Sequence, residues 1–586
     1  MPDPALLPPS TPESTDVSWR VRLAVAALAV LGLLGVISNL DAAGDYPGLG
    51  EGPGLTVDEM FNVSEGFRLV EAARFWFLGE LSWQQIFGQQ EDLLAAAPAG
   101  YHLADHPPLG RVALGLAHAT VTALVAPTHS EATPLAPTAA RFGSAIAFAW
   151  LVYLVGRTTA GWYGSVAGFS AATALLLMPR LVAHAHLASL EMMITLAYTA
   201  SVLSLADRWA SGSEAPRARQ AVVPGLLLGL ALLTKIQAIL LVPAVVAWSL
   251  CKFRTRAIRP LLCWTAIGGV VFFVGWPWLW LDPLDHLVEY FARTTERAQL
   301  SVYYLGDKTP DTDVPWHYPL VLFGVTVPLG LHALAACGLV FRNRPWWHDP
   351  RAVLLVTGIA FPLQVFMTPG VAVYDGTRLF LVVFPLWAVL IGRGTMILSE
   401  WISQRRGKLV RATAWLLPAA ILLSASWGLV ATHPCGLSYY NIVVGGPAGA
   451  ESLGFEPTYW GDSLTRKFLV EVAEQVPEGE TIAVFPSLHP LQWPTFTKHA
   501  RVWDHTPRRL ALYGTPDAAE ASWVMIFRRK ADLPEHLRND PPDTRRVCEV
   551  RRAGVLLAAL YHRDTPQNPS AELRKPRPDT YTEANP

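Results

Sequence analysis

Long apolar runs recur along this 586-residue chain as far as residue 431, and they limit its fold more than any other feature. After 23–40 they appear at about 140–156, 161–179, 188–206, 222–250, 260–280, 318–341, 352–369, 378–396 and 412–431. Most are near the length that crosses ~30 Å of hydrocarbon. Charged residues make up 16% of the chain and hydrophobic ones 52%, against roughly 25% charged in soluble proteins. The chain therefore reads as a polytopic membrane protein, and the soluble enzymes are excluded. With 46 Lys+Arg against 47 Asp+Glu the net charge is -1, so there is no basic field to hold nucleic acid. Five cysteines without C-x-x-C spacing supply neither a disulfide framework nor a zinc site.

Basic clusters orient the runs. Arg20 and Arg22 precede the first one and place the N-terminus in the cytoplasm. A cleaved signal peptide is the rival reading, which the long polar leader disfavours. Lys252/Arg254/Arg256/Arg259, Arg342/Arg344/Arg351 and Arg405/Arg406/Lys408/Arg411 lie between runs on the cytoplasmic side. This puts 281–317, the 370–377 turn and everything after 431 outside. The run 222–250 is too long for one straight helix and carries Lys235 in its middle, so it reads as two short helices. Parity then requires the weak run 109–126 to lie at the outer interface, giving about eleven spans. The alternative crosses at 109–126 and keeps 222–250 as one broken helix. The expected architecture is an all-α polytopic membrane domain at 20–431, with an outer loop at 41–139, between a polar tail at 1–19 and a C-terminal extracytoplasmic α/β domain at 432–565. Strand-like runs at 481–485, 523–527 and 553–561 and a helix-like stretch at 464–475 define that domain; 566–586 is a second polar tail. Cys435 and Cys548 both fall in the domain and read either as a disulfide or as two free thiols.

The outer segments hold the residues suited to chemistry. Asp58-Glu59 heads an amphipathic helix-like stretch, where the acids either complement the positive helix end or supply a base to an attacking hydroxyl. His106-Pro107-Pro108-Leu109-Gly110-Arg111 forms a turn that presents His106 and Arg111 near the interface. Arg180 and Glu191 read as helix-end charges, and His184 and His186 between them as interfacial polar groups or metal ligands. Lys235, in apolar surroundings, needs a polar cavity, a phosphate or a route to the interface. Tyr374-Asp375-Gly376-Thr377-Arg378 opens a helix; Arg378 is placed to hold a phosphate bidentately or to pair with Asp375.

Together, Asp58-Glu59, the H-P-P-L-G-R segment, Pro179-Arg180-Leu181 with His184-x-His186-x-x-Ser189-Leu190-Glu191, and the Gly225 to Lys235 segment resemble the protein O-mannosyltransferase and aminoarabinose-transferase superfamily. Tyr374 to Arg378, Ser438-Tyr439-Tyr440-Asn441 and Tyr459-Trp460-Gly461 resemble its bacterial members. Arg111 stands where a Lys is common, and Glu191 where Asp is usual. The resemblance implies a GT-C-like fold and a polyprenyl-phosphate-linked sugar as donor. It also implies a protein, lipid or glycan as acceptor, in the cytoplasmic (inner) membrane.

Transfer proceeds through an oxocarbenium-like transition state, which needs a base at the acceptor and cations at the departing phosphate. The expected roles are Asp58 as base, Glu59 as substrate or metal ligand, and Arg378, Arg180 and Arg111 as phosphate holders. His106, Glu191, Lys235 and Tyr374 complete the substrate site. A cofactor is not assigned, and a divalent metal is possible, with Glu59, His106, His184 and His186 as its candidate ligands. Two other classes fit the composition: a lipid or solute transporter or flippase, which would be expected to show two related halves, and an inactive assembly scaffold.

Overall fold

The computed structural model describes residues 17–563 apart from 43, 47, 88–103, 128–135, 213, 296–298, 341–344, 405–412, 489–491, 493–508 and 513–514. Residues 1–16 of the expected tail at 1–19, the expected tail at 566–586, and the basic residues Arg342, Arg344, Arg405, Arg406, Lys408 and Arg411 lie outside the described residues. The chain is mostly helical up to residue 432 and ends in a sheet-containing region.

The first apolar run becomes α1 (Trp19–Ile37). A connecting segment leads to α2 (Val57–Phe77), whose first turn is closed by a capping box between Thr56 and Glu59. The weak run becomes α3 (Pro108–Leu124), opened by a proline at its first position, where a missing N–H costs nothing. It packs on α2 and on α4 (Pro137–Tyr163). The α2–α3 crossing is close because Gly66 and Gly115 face each other: a Cβ on Gly115 would lie 2.1 Å from the Gly66 carbonyl oxygen.

Next come α5 (Ser165–Leu176) and α6 (Pro179–Ala185), bent from one another by 68°, and then α7 (Leu190–Trp209). The 222–250 run breaks into α8 (Val222–Leu232) and α9 (Leu241–Phe253), with Lys235 in extended backbone at the break. The two pieces find different neighbours. α8 packs on α7 and α10 (Ile258–Val274), while α9 packs on the later helix Pro350–Phe366.

The segment after α10 contains α11 (Pro283–Thr295) and a β-hairpin, β1 (Ser301–Tyr304) with β2 (Asp307–Pro310). Leu305 and Gly306 at its tip both have positive φ, as a two-residue type I′ turn demands. Two bent helices follow, α12 (Tyr318–Thr326) and α13 (Leu329–Val340), at 108°. After them come α14 (Pro350–Phe366), α15 (Val383–Ser403), α16 (Leu416–Ser424) and α17 (Ser426–Thr432).

Among the described residues five helical stretches are long and apolar enough to cross a membrane, or up to seven if each bent pair is one span. Three shorter apolar stretches, Ala218–Leu232, Pro350–Phe366 and Leu416–Thr432, accompany them. That pattern is of an integral membrane protein. α3 is in neither group.

The C-terminal region packs α18 (Arg466–Gln475) on a five-stranded mixed sheet of order β4-β3-β5-β7-β6. β3 (Thr481–Phe485), β4 (Arg509–Leu512) and β5 (Trp523–Phe527) run parallel, and β6 (Thr544–Arg552) and β7 (Val555–Arg563) pair antiparallel. β4 and β6 are additions to the sequence reading. Both are edge strands, and charge along β6 (Arg545, Arg546, Glu549, Arg551, Arg552) hides it from a search for apolar runs. Cys435 and Cys548 are both free thiols.

Candidate active site

Four segments far apart in sequence meet where α2, α7 and the α8–α9 break come together with the turn before α15. The Lys235 ammonium donates to Glu191 Oε1 over 2.6 Å, and Arg378 Nε donates to the same oxygen over 2.8 Å. Arg378 Nη1 donates to Asp375 Oδ2 over 3.0 Å, and its Nη2 donates to Asp58 Oδ2. The guanidinium also lies 4.5 Å from the centre of the Trp460 ring and 5.6 Å from that of Tyr374. Three carboxylates thus share one guanidinium and one ammonium. Lys235, Glu191 and Arg378 are almost fully buried, whereas the Asp58 side chain keeps 22% of its surface. Glu191 Oε2 is buried without a hydrogen-bond partner. It remains able to accept a ligand's hydroxyl.

The sequence explains how each group arrives. Asp58 is held in the first turn of α2 by the Thr56–Glu59 cap, and Glu191 stands in the first turn of α7. Lys235 reaches the site because α8 stops, a break that Leu109 N bonded to Leu233 O over 3.0 Å ties to the head of α3. Burial, together with the negative charge of Glu191, pushes the Asp58 carboxyl above its ordinary range, and Arg378 opposes the shift. Burial lowers His106 to about 3, so at neutral pH its ring is uncharged.

Glu59 has a different fate from the one expected of a substrate or metal ligand. Arg141 grips it bidentately, Nε to Oε1 at 2.6 Å and Nη2 to Oε2 at 2.8 Å, while Ala188 N, Thr56 N and Thr56 Oγ1 donate as well. Five donors fill the roughly four lone-pair positions of a carboxylate. Arg141 also donates to the carbonyls of Leu40, Pro53 and Gly54. The pair is therefore a post that fixes the α1–α2 connection beside α2.

Arg111 forms a bidentate pair with Asp105, at 2.6 and 2.9 Å, and donates to Asn62 Oδ1. Its donors serve the H-P-P-L-G-R turn. Arg180 Nε donates to the Tyr439 carbonyl over 3.2 Å, and Arg180 lines a small cavity together with Asp375 and Gly376. His184 meets the Tyr459 hydroxyl at 3.4 Å, and His186 Nδ1 meets the Val182 carbonyl at 2.8 Å. Among the described residues no three His, Cys, Asp or Glu side chains gather as a metal would need.

The site also recruits residues that the sequence reading left out of it. Trp460 Nε1 donates to Asp375 Oδ2 over 3.0 Å. From the C-terminal region, Arg529 approaches Asp375 Oδ1 at 3.3 Å. Asp375 and Trp460 belong to motifs visible in the sequence, but nothing in the sequence around Arg529 marks it.

No family model matches the chain, and no curated protein matches it. Among solved structures it is similar to ArnT from Cupriavidus metallidurans bound to undecaprenyl phosphate, with 13% identity, 95% of this chain and 99% of that chain covered, and a TM-score of 0.47. It is similar to the oligosaccharyltransferase AglB from Archaeoglobus fulgidus in complex with an inhibitory peptide and a dolichol-phosphate, with 12% identity, 87% and 70% covered and a TM-score of 0.45. The Saccharomyces cerevisiae protein O-mannosyltransferase Pmt1-Pmt2 complex bound to the sugar donor matches at 15% identity, 50% and 39% covered and a TM-score of 0.32.

Proposed function

We propose that the chain is a membrane glycosyltransferase. It moves a hexosyl or pentosyl group from a polyprenyl-phosphate donor to an acceptor hydroxyl or phosphate at the outer face of the cytoplasmic membrane, with inversion. The observation that carries this reading is the position of the Asp58–Arg378–Glu191–Lys235 cluster beside an apolar cavity of about 500 Å³ between α3, α4, α7 and α8. Thr234, Leu109 and Gly110 line that cavity, and the first of these precedes Lys235 in the chain. A polyprenyl tail suits such walls, and its phosphate would then meet Lys235 and Arg378.

A donor phosphate competes with Asp58 for the Arg378 guanidinium, so binding the donor releases the carboxylate that must act next. Asp58 takes the acceptor proton as the acceptor oxygen bonds to the anomeric carbon. The bond from that carbon to the phosphate oxygen breaks, and Lys235 and Arg378 stabilise the leaving polyprenyl phosphate. Glu191 Oε2 is available to a sugar hydroxyl, and neutral His106 offers a hydrogen bond without adding charge. The N-terminus inside, the C-terminal region outside and the shorter apolar helices crossing, for about eleven spans, belong to the same reading.

The test is mass spectrometry of glycans in a deletion strain complemented with the wild type, Asp58→Asn or Arg378→Ala, each verified in the membrane. The wild type restores the missing glycan and the variants do not. Full restoration by Asp58→Asn would sink the mechanism.

A further inference from the structure

The apolar groove of about 500 Å³ between α3, α4, α7 and α8 runs along its helices. Its α4 wall is a single helical face, Trp150, Tyr153, Leu154 and Arg157, and its α7 wall extends over about two turns from Met193 to Ala200. Arg141, the partner of Glu59, marks the level of the Asp58 cluster on α4. Arg157 stands roughly 24 Å further along the axis at about 1.5 Å per residue, so the groove has Thr234, next to Lys235, towards the cluster and Arg157 at its other end.

Polar groups on these walls are few. Thr234 spends its hydroxyl on the Leu230 carbonyl, 2.8 Å away. Among the described residues neither the Arg157 guanidinium nor the Tyr153 hydroxyl, one turn apart, has a hydrogen-bond or ion-pair partner. Arg157 is exposed and Trp150 keeps 60% of its surface, so this face of a long apolar helix is turned to lipid. A cation in hydrocarbon is costly unless it reaches the headgroups. α4 ends roughly 9 Å beyond Arg157, where Trp162 Nε1 donates to Asp207 and the Tyr163 hydroxyl donates to Asp349, both over 2.6 Å. A polar layer begins there, and a lipid phosphate at that level is within reach of the long Arg157 side chain.

We propose that the groove is a phospholipid site entered from the end away from the cluster. Arg157, with the Tyr153 hydroxyl, holds the phosphate of a glycerophospholipid, and one acyl chain lies between α4 and α7 towards Thr234. The site does not depend on the glycosyl-transfer reading. A donor tail and this chain need the same walls, so the lipid fills the groove when no donor is bound.

Photolabelling of the purified full-length protein in detergent tests it, with a phosphatidylglycerol that carries a diazirine on one acyl chain and mass spectrometry of the labelled peptides. Labelling of the 150–157 and 193–200 stretches is expected to saturate, to fall at least fivefold in Arg157→Gln and to recover in part in Arg157→Lys. Ala197→Phe, which narrows the groove, is expected to lose the same labels with Arg157 in place and the melting temperature unchanged. A diacylglycerol with the same diazirine chain lacks the phosphate and is expected to label these stretches at least fivefold less. That comparison uses the wild type and decides the matter even if the variants fold poorly. Equal labelling by the two probes overturns the inference, because the groove would then take chains without reading a headgroup. Undiminished labelling in Arg157→Gln, or labels confined to stretches outside the groove, overturns it as well.

Discussion

Asp58 and Glu59 are neighbours in the first turn of one helix, yet their surroundings differ in the property that matters for chemistry. Glu59 is fully buried, and every acceptor position on it is filled by Arg141, Thr56 or Ala188. Asp58 keeps part of its surface and shares the Arg378 guanidinium with Glu191 and Asp375. A saturated carboxylate holds backbone in place, whereas one that competes for a shared cation can be released by a ligand. The lesson is that an acidic pair adjacent in sequence need not act as a pair.

The largest expected effect falls on the saturated member. Arg141→Met leaves Glu59 as an unpaired buried charge and is expected to cost about 3–5 kcal/mol, read as a large drop in detergent melting temperature and in yield. If the variant melts like the wild type, the post is not structural. Asp58→Asn should do the reverse, lowering polyprenyl phosphate release by roughly 10²–10⁴-fold, the worth of a general base, while its melting temperature stays near that of the wild type. A joint loss of stability and rate in Asp58→Asn would erase the contrast between the two acids.

Smaller effects sharpen the comparison through pH. Asp58 must be ionised to act, and its pKa is raised by burial. Transfer should therefore increase with pH along an acid limb displaced above the ordinary carboxylate range, measured as initial rate against pH. A second pair lies at the junction with the C-terminal region, where burial raises Glu456 to about 8 and Asp462 to about 7. Both folded pKa values lie above the unfolded ones, so their protonated forms favour the folded state. Stability should fall as pH rises from about 4 towards 8 and then level off. Thermal melts across that interval, flattened in Glu456→Gln, check the sign.

Much of the fold was legible. The apolar runs predicted the helical region, and the break near Lys235 followed from the excessive length of 222–250. β3 and β5 sit where alternating and continuous apolar residues placed them. The hairpin β1–β2 did not announce itself, because its eight strand residues are mostly polar or aromatic and its tip bonds to a distant segment, Gly306 N donating to Gly454 O. At the site, Asp58, Glu191, Lys235 and Arg378 were all named from motifs, and the structure brings them together. Glu59, Arg111 and Arg180 were named as well, with Arg378 as the better-placed cation, and in the structure they bond to Arg141, to Asp105 and to the Tyr439 carbonyl.

The order of apolar and polar segments by itself determined that this chain is a multi-helix membrane protein with a mixed C-terminal region, because burial of apolar surface and the length of a span are properties of local sequence. Which carboxylate is spent on structure and which is left to react was decided only by the tertiary fold. Arg141 stands 82 residues from Glu59, and Arg378 stands 320 residues from Asp58. Ion pairing depends on distance in space, and no local pattern encodes the partner that arrives from so far along the chain.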